Sequence, residues 1–347
     1  MKKVVVGISG GVDSSVAALL LKEQGYEVIG VTFVFTDDFD VNDAKSVCDK
    51  LNISHIVKDY RKEFKEKIID KFIADYKNGL TPNPCVLCNK IVKIKYLFDT
   101  MEELNADFIA TGHYAKINDG KLYKSENLSK DQTYFLAQLS SLQLKKILFP
   151  LEGLDKEKVR ETAKVNGLIN ANKKDSFDVC FIKSSFKDYI SSIIPTKEGP
   201  VININTNEEI GKHKGLEKYT IGQRRGLDIG GNTDRIFVVG KDINKNILYV
   251  SLGAENDYLF SDSCILKEVN FNIEERPVKC YARFRYKSQE YPVELEYLDN
   301  DKVLVKYENI SSVTPGQTCV FYNENQCLGG GTIMEVRKDN SKLWYLG

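Results

Sequence analysis

The stretch Lys3-Val-Val-Val-Gly-Ile8, followed at once by Ser9-Gly-Gly-Val-Asp-Ser-Ser15, decides how the rest of the chain is read. The short β-branched run reads as a strand, and residues 12–24 carry apolar side chains at helical spacing up to Gly25. Between them, Gly10 and Gly11 let backbone amides close on an anion at the positive end of the coming helix. Hydroxyls at Ser9, Ser14 and Ser15 can donate to phosphate oxygens, and Asp13 could hold Mg2+ on a pyrophosphate. The Gly-Lys-Ser/Thr ending of a Walker loop is missing. A plain glycine turn would need neither the hydroxyls nor the acid.

Outward from this loop, strand and helix alternate. Residues 27–34 read as strand, 42–51 as helix, 53–58 as strand, 64–76 as helix, 88–104 as helix and 107–111 as strand. That order implies an α/β domain with a doubly wound parallel sheet. Asp119-Gly120 sits between the short alternating runs 114–118 and 121–124 and predicts a hairpin. Helical spacing returns at 133–139 and 156–166. From Pro195 onward the pattern changes to short strands (201–204, 235–239, 247–250, 278–284, 303–307, 318–322) broken by Gly, Asn and Asp. The expected organisation is a domain over 1–194, a small central β-rich domain over 195–263 and a C-terminal β-barrel over 264–347.

Composition narrows the function classes. The 347 residues carry 49 Lys+Arg against 49 Asp+Glu, so no global field attracts an anion. Nucleic acid would have to meet local patches, such as Lys90, Lys93 and Lys95, or the five basic residues and no acid between Arg276 and Lys287. The N-terminal apolar run is too short for a secretion signal, and no apolar stretch approaches the ~18 residues of a membrane span. A cytoplasmic protein without a membrane partner is expected. Eight cysteines are too sparse for a disulfide scaffold, which leaves buried, metal-binding or catalytic thiols.

One thiol stands out by context. Cys88 follows Pro82 and Pro84, which deny regular structure, and is expected to open a helix, where a thiol becomes more acidic. Cys85-x-x-Cys88 together with Cys180 also offers three ligands for a 4Fe–4S cluster with one open iron site. Cys48, Cys264, Cys280, Cys319 and Cys327 are expected as small buried hydrophobes.

The loop Ser-Gly-Gly-Val-Asp-Ser14 resembles the signature of the pyrophosphatase-loop enzymes, which adenylate a substrate and release pyrophosphate. Within them the chain resembles the bacterial tRNA-specific 2-thiouridylases. The resemblance runs through Thr81-Pro-Asn-Pro-Cys-Val-Leu-Cys-Asn89, Thr111-Gly-His-Tyr-Ala115, Lys130-Asp-Gln-Thr-Tyr-Phe-Leu136 and Asp175-Ser to Cys180-Phe-Ile182. It continues through Tyr219-Thr-Ile-Gly-Gln-Arg-Arg-Gly-Leu227, Ala282-Arg-Phe-Arg-Tyr286, Thr314-Pro-Gly-Gln317 and Cys327-Leu-Gly-Gly-Gly-Thr332.

The resemblance implies an adenine nucleotide alpha hydrolase-like fold. The implied reaction is ATP-dependent adenylation of C2 of the wobble uridine, then sulfur transfer from a protein persulfide to give 2-thiouridine. By position, Cys88 matches the nucleophile and Cys180 the persulfide carrier, the two forming a disulfide after turnover. Gly7, Ile8, Ser9, Gly10, Gly11, Val12, Asp13, Ser14, Phe33 and Gly112 match the ATP pocket. Asn83, Pro84 and Cys85 match the region meeting the target base. His113, Lys130, Asp131, Gln132, Arg285, Tyr286 and Gln317 match tRNA-contacting positions. Some relatives carry Asp where this chain has Cys85, so an acid–base role does not carry over there. The implied partners are the lysine, glutamate and glutamine tRNAs and a cysteine desulfurase or sulfur-carrier protein.

The loop after Phe33, usually longer and rich in Trp and Asp, is reduced here to residues 34–40. Its contribution to closure over the nucleotide is therefore open. Cys180 must both meet Cys88 and collect sulfur outside, so residues 173–184 are expected to rearrange. Rival readings are an amidotransferase-linked ATP pyrophosphatase, which leaves the cysteines unexplained, and an RNA-binding protein with a relic loop.

Overall fold

Val4, Val5 and Val6 have no exposed surface, which places their strand in the middle of a sheet covered on both faces. The computed structural model, which describes residues 1–173, 179–227, 235–253 and 256–346, shows that sheet. Its first strands are β1 (Lys3–Gly7), β2 (Glu27–Val34), β3 (Ser54–Asp59) and β4 (Phe108–Ala110). A hairpin follows, β5 (Ala115–Asn118) and β6 (Lys121–Lys124), and β7 (Ile147–Leu148) returns to the sheet. The parallel order is β3-β2-β1-β4-β7.

The pleat sorts the helices. Val4 and Val6 pack with Val16, Ala17, Val47 and Val159, from α1 (Val12–Glu23), α2 (Asn42–Leu51) and a later helix over Lys156–Val165. Val5 faces the other way, onto Phe64, Ile68, Val92 and Leu97. These belong to two composite helices. In α3, the α-helical Arg61–Phe64 and Asp70–Lys77 flank a π-helical turn, Lys65–Ile69. In α4, Pro84–Cys88 and Ile94–Glu103 flank a second π-turn, Asn89–Lys93. The expected doubly wound domain is present.

The central β domain has four strands: β8 (Gly199–Asn203), β9 (Glu208–His213), β10 (Ile236–Asp242) and β11 (Ile247–Leu252), in the order β10-β11-β8-β9. A C-terminal barrel follows, made of β12 (Phe260–Phe271), β13 (Lys279–Arg283), β14 (Tyr291–Tyr297), β15 (Val303–Ser311), β16 (Thr318–Asn323) and β17 (Gln326–Lys338). Pairing of β12 with β17 closes these six strands.

The N-terminal domain and the barrel share a sheet. Hairpin strand β6 adds to β17, with Leu122 opposite Cys327 and Tyr123 opposite Gln326. The turn takes left-handed backbone at Asp119 (φ 49°) and Gly120 (φ 71°), as a tight hairpin requires. Around this seam the Tyr134 hydroxyl donates to the Thr318 carbonyl at 2.7 Å, and Gln138 Nε2 to the Gly330 carbonyl at 2.6 Å. Thr81 donates its amide to the Pro315 carbonyl (3.0 Å). Among the described residues, no helix is long and apolar enough to cross a membrane.

Candidate active site

Where β1 ends, the chain turns through Ser9-Gly10-Gly11 into α1. Gly10 takes φ +73°, and a Cβ there would meet Asp43 Cβ at 2.9 Å. Gly11 caps the helix with no side-chain hydrogen bond, so the cap brings no side chain to the first-turn amides. The hydroxyls first brace this loop. Ser14 and Ser15 both donate to the Gly11 carbonyl, at 3.0 and 2.9 Å, and Ser14 Oγ accepts from the Ser9 amide at 3.2 Å. Gly112 presses on the loop from β4: a Cβ there would lie 2.7 Å from the Ser14 amide nitrogen. Asn170 Nδ2 donates to the Gly10 carbonyl and to Ser15 Oγ. The result is a braced anion cradle at the carboxyl edge of the sheet, beside β1 and β4, where the strand order reverses.

Asp13 is engaged. Lys156 Nζ donates to both of its carboxylate oxygens, at 2.7 and 2.8 Å, and the Tyr114 hydroxyl donates to Oδ1 at 2.8 Å. Lys156 is a site residue that sequence reasoning missed, since it lies 143 positions away on a helix with no distinguishing motif.

A cavity of about 440 Å3 opens from the cradle. Gly7, Ile8, Ser9, Asp13, Ser14, Phe33 and Gly112 line it on the side of the loop, and Pro84, Cys85, Cys88, His113, Gln132 and Cys180 on the other. The short loop after β2 contributes Phe35, Thr36 and Phe39. Phe35 stacks on Phe64 at 4.7 Å between ring centres, and Lys183 bonds Asp38 at 3.3 Å. The shortened loop therefore still walls the pocket and ties it to the segment carrying Cys180.

The structure corrects the expected environment of Cys88. The helix begins at Pro84, capped by the Asn83 side chain accepting from the Val86 amide (3.3 Å), and Cys88 lies a full turn inside. Proline fits N1 because its missing N–H would have been unpaired there. Cys85, near the start, holds the position expected of Cys88. Burial then dominates. It pushes Cys88 up to about 12 and Cys85 up to about 11, and raises Cys180 as well. Lys93 opposes burial at all three thiols. Cys180 is exposed on the rim and the other two are half-buried. His113 donates to or accepts from Thr111 Oγ1 at 2.7 Å, and burial with nearby Lys93 holds its pKa well below the usual range. It is a neutral imidazole at pH 7.

Among the described residues, no three His, Cys, Asp or Glu side chains converge as metal ligands. The cluster reading of Cys85, Cys88 and Cys180 thus has no geometric support. All five remaining cysteines are buried. Residues 174–178, with the Asp175-Ser motif and five of the twelve residues of the expected moving segment 173–184, lie outside the described residues.

The family described as tRNA methyl transferase HUP domain matches residues 2–184. The tRNA methyl transferase PRC-barrel domain matches 187–252, and the aminomethyltransferase beta-barrel domain matches 261–333. A tRNA-specific 2-thiouridylase MnmA of Geobacillus thermodenitrificans is 45% identical over 364 residues, 99% of this chain and 98% of its own. Its counterpart in Bacillus licheniformis is 46% identical over 365 residues, with the same coverage. The chain belongs to the tRNA-specific 2-thiouridylase family. The thiol pair beside the anion cradle agrees with that name rather than with the methyltransferase label of the domain families. Among solved structures, a 4-thiouridine synthetase–RNA complex with bound ATP shows a partial likeness: TM-score 0.36, 22% identity, 52% of this chain and 44% of that one.

The positions expected to contact tRNA divide into two groups. Gln132 and His113 line the cavity, Asn83 caps the helix that carries the thiols, and Lys130 is half-buried. The others knit domains together. Asp131 is buried and accepts from Ser125 and Thr133. Arg285 Nη2 donates to the Ile221 and Ser312 carbonyls and to Thr314 Oγ1. Tyr286 donates to the Asp131 carbonyl at 3.2 Å, and Gln317 Nε2 to the Thr81 carbonyl at 2.6 Å. The basic run 276–287 is correspondingly less available than its composition suggests, since Arg283 pairs with Glu290 at 2.7 Å.

Proposed function

We propose that this protein is a tRNA 2-thiouridylase that adenylates the wobble uridine and replaces its C2 oxygen with sulfur carried by Cys180. The observation that carries this reading is one cavity lined by both a braced anion loop and two thiols from distant parts of the chain. ATP binds with its phosphates on the Ser9–Ser14 loop and its base toward Phe33. The uridine O2 attacks the α-phosphorus, pyrophosphate leaves, and C2 now bears AMP as a good leaving group. The terminal sulfur of a Cys180 persulfide attacks C2 and AMP departs. Cys88 then attacks Cys180 Sγ, breaking the S–S bond, leaving sulfur on C2 and forming a Cys88–Cys180 disulfide that an external thiol reduces. Mg2+ bound here would neutralise charge on the phosphates, and Asp13 would have to exchange Lys156 for it. The sulfur donor is a desulfurase or carrier protein reaching exposed Cys180. The tRNAs are those for lysine, glutamate and glutamine, gripped across domains bounded near 194 and 263.

Nucleoside mass spectrometry of a strain lacking the gene tests the activity: 2-thiouridine should vanish with other thiolated nucleosides intact. Asp13→Ala should abolish tRNA-dependent AMP release. Cys88→Ser should load 35S yet make no 2-thiouridine, and Cys180→Ser should not load. Undiminished AMP release by Asp13→Ala would sink the loop assignment.

A further inference from the structure

The reaction as written leaves one cation of the pocket without a task. Lys93 ends the π-helical turn Asn89–Lys93 and lines the same cavity as Cys85, Cys88, Cys180 and His113. On a regular α-helix, residues three and four apart are neighbours, and five apart fall about 140° round the axis. A π-turn holds one extra residue. The extra residue lets Lys93 take the place that i+4 would have, on the face that carries Cys88 into the cavity.

Its neighbours in sequence are spent elsewhere. Lys90 donates to Gln138 Oε1 at 2.7 Å, and Lys95 is paired with Asp99 at 2.6 Å. Among the described residues, no carboxylate and no hydrogen-bond acceptor holds the half-buried Lys93 ammonium. We propose that Lys93 is the built-in counter-ion of the Cys88 thiolate, and that the π-turn exists to put it there. The inference rests on the sulfur-transfer role assigned to Cys88 above and adds how that sulfur becomes a nucleophile.

Among the described residues, the charges around the pocket leave this role to Lys93. Asp13 is neutralised by Lys156, and Lys183 is turned to Asp38. Cys85 and Cys180 would oppose a second anion beside them, and His113 is neutral. Burial works strongly against a thiolate at Cys88, while the Lys93 ammonium and the Lys93 backbone N–H both favour it. In the disulfide-forming step Cys88 loses its proton to solvent and its sulfur electron pair forms the bond to Cys180 Sγ. The pair from the broken S–S bond stays on the sulfur attached to C2. Lys93 stabilises the anion before its attack on Cys180 Sγ, and the pairing ends once the disulfide is neutral.

The test uses the full-length enzyme carrying Cys85→Ala and Cys180→Ser, without ATP or tRNA. Iodoacetamide labelling of Cys88 is followed by peptide mass spectrometry from pH 6 to about 10. Only thiolate reacts, so the rate should climb about tenfold per pH unit below the pKa. Lys93→Met should lower the Cys88 rate at least tenfold at every pH, and Lys93→Arg should return it to within about threefold. A Lys93→Met profile lying on that of the parent overturns the proposal. So does a Lys93→Arg protein as slow as Lys93→Met with an unchanged thermal melt, since that pattern belongs to packing. Should Lys93→Met fail to fold, Lys93→Gln is read by the same criteria. Because no tRNA chemistry is involved, a displaced profile in a chain that makes no 2-thiouridine would defeat the proposed function and leave the counter-ion standing.

Discussion

Gly112→Ala should disable ATP chemistry through two contacts. The added methyl would sit 2.7 Å from both the Asp13 carbonyl carbon and the Ser14 amide nitrogen. Carbon contacts are comfortable from about 3.5 Å, so the strand-end loop and the helix start must part by roughly 0.8 Å. Both sides are backbone, with no flexible side-chain tip to yield. Overpacking of this kind costs about 1–3 kcal/mol, and thermal melting should fall by a few degrees. The larger effect is functional, because a misplacement near 1 Å costs about 100-fold in a site that works by positioning. The assay is tRNA-dependent pyrophosphate release at saturating ATP, alongside a calorimetric melt. Gly25→Ala is the control: Gly25 has φ +84° but open space around it. It should lose about 1–2 kcal/mol from left-handed backbone strain with release unchanged. A Gly112→Ala enzyme within twofold of wild type in release would refute the loop-bracing argument.

Arg285→Ala should lower the melting temperature by several degrees, since the donor shared by the Ile221 and Ser312 carbonyls and Thr314 Oγ1, all part-buried, is lost at about 1–3 kcal/mol; a normal melt with a flattened salt dependence of tRNA binding would restore a direct phosphate contact. Tyr134→Phe should destabilise the joined domains by about 1–3 kcal/mol, read in urea, because the Thr318 carbonyl is left buried and unpaired. The raised Cys88 thiol is protonated in the fold and deprotonates more readily when unfolded, so the stability it contributes is present below the ordinary thiol pKa and lost as pH climbs from there toward about 12. Urea unfolding of the Cys88→Ser enzyme should therefore lose less stability between pH 8 and about 10 than the parent does.

The strand–loop–helix half of the site could be read directly. A β-branched run, two glycines and hydroxyls on a helix start combine into one local mechanism, and α2 falls where its spacing puts it, Asn42–Leu51. The thiol half was legible only by resemblance, and its local structure was misread. Pro84 looked like a barrier when it is the first residue of the helix, and Asn83 before it is the signal that could have settled the matter. A π-turn has no composition of its own, so the alignment of Lys93 with Cys88 was invisible. Strand β17 was hidden for a different reason. Gly329 and Gly330 carry no strand pattern of their own, yet they are there because a Cβ would strike the Asn270 and Cys319 carbonyls at 2.1 and 2.5 Å. Arg285 shows the opposite limit: a basic residue in a basic run invites a phosphate, and only the fold reveals that it faces three oxygens of its own chain.

The strand shared by hairpin and barrel bears on how the enzyme can be divided. Cutting the chain near 194 would strip β17 from β6 and bare the edge at Leu122 and Tyr123, along with the Thr81 carbonyl that Gln317 now covers. An uncovered edge invites pairing with another copy. The adenylating half alone should therefore be prone to association, and a relative that lost the barrel would need a replacement strand or a charged edge to stay monomeric.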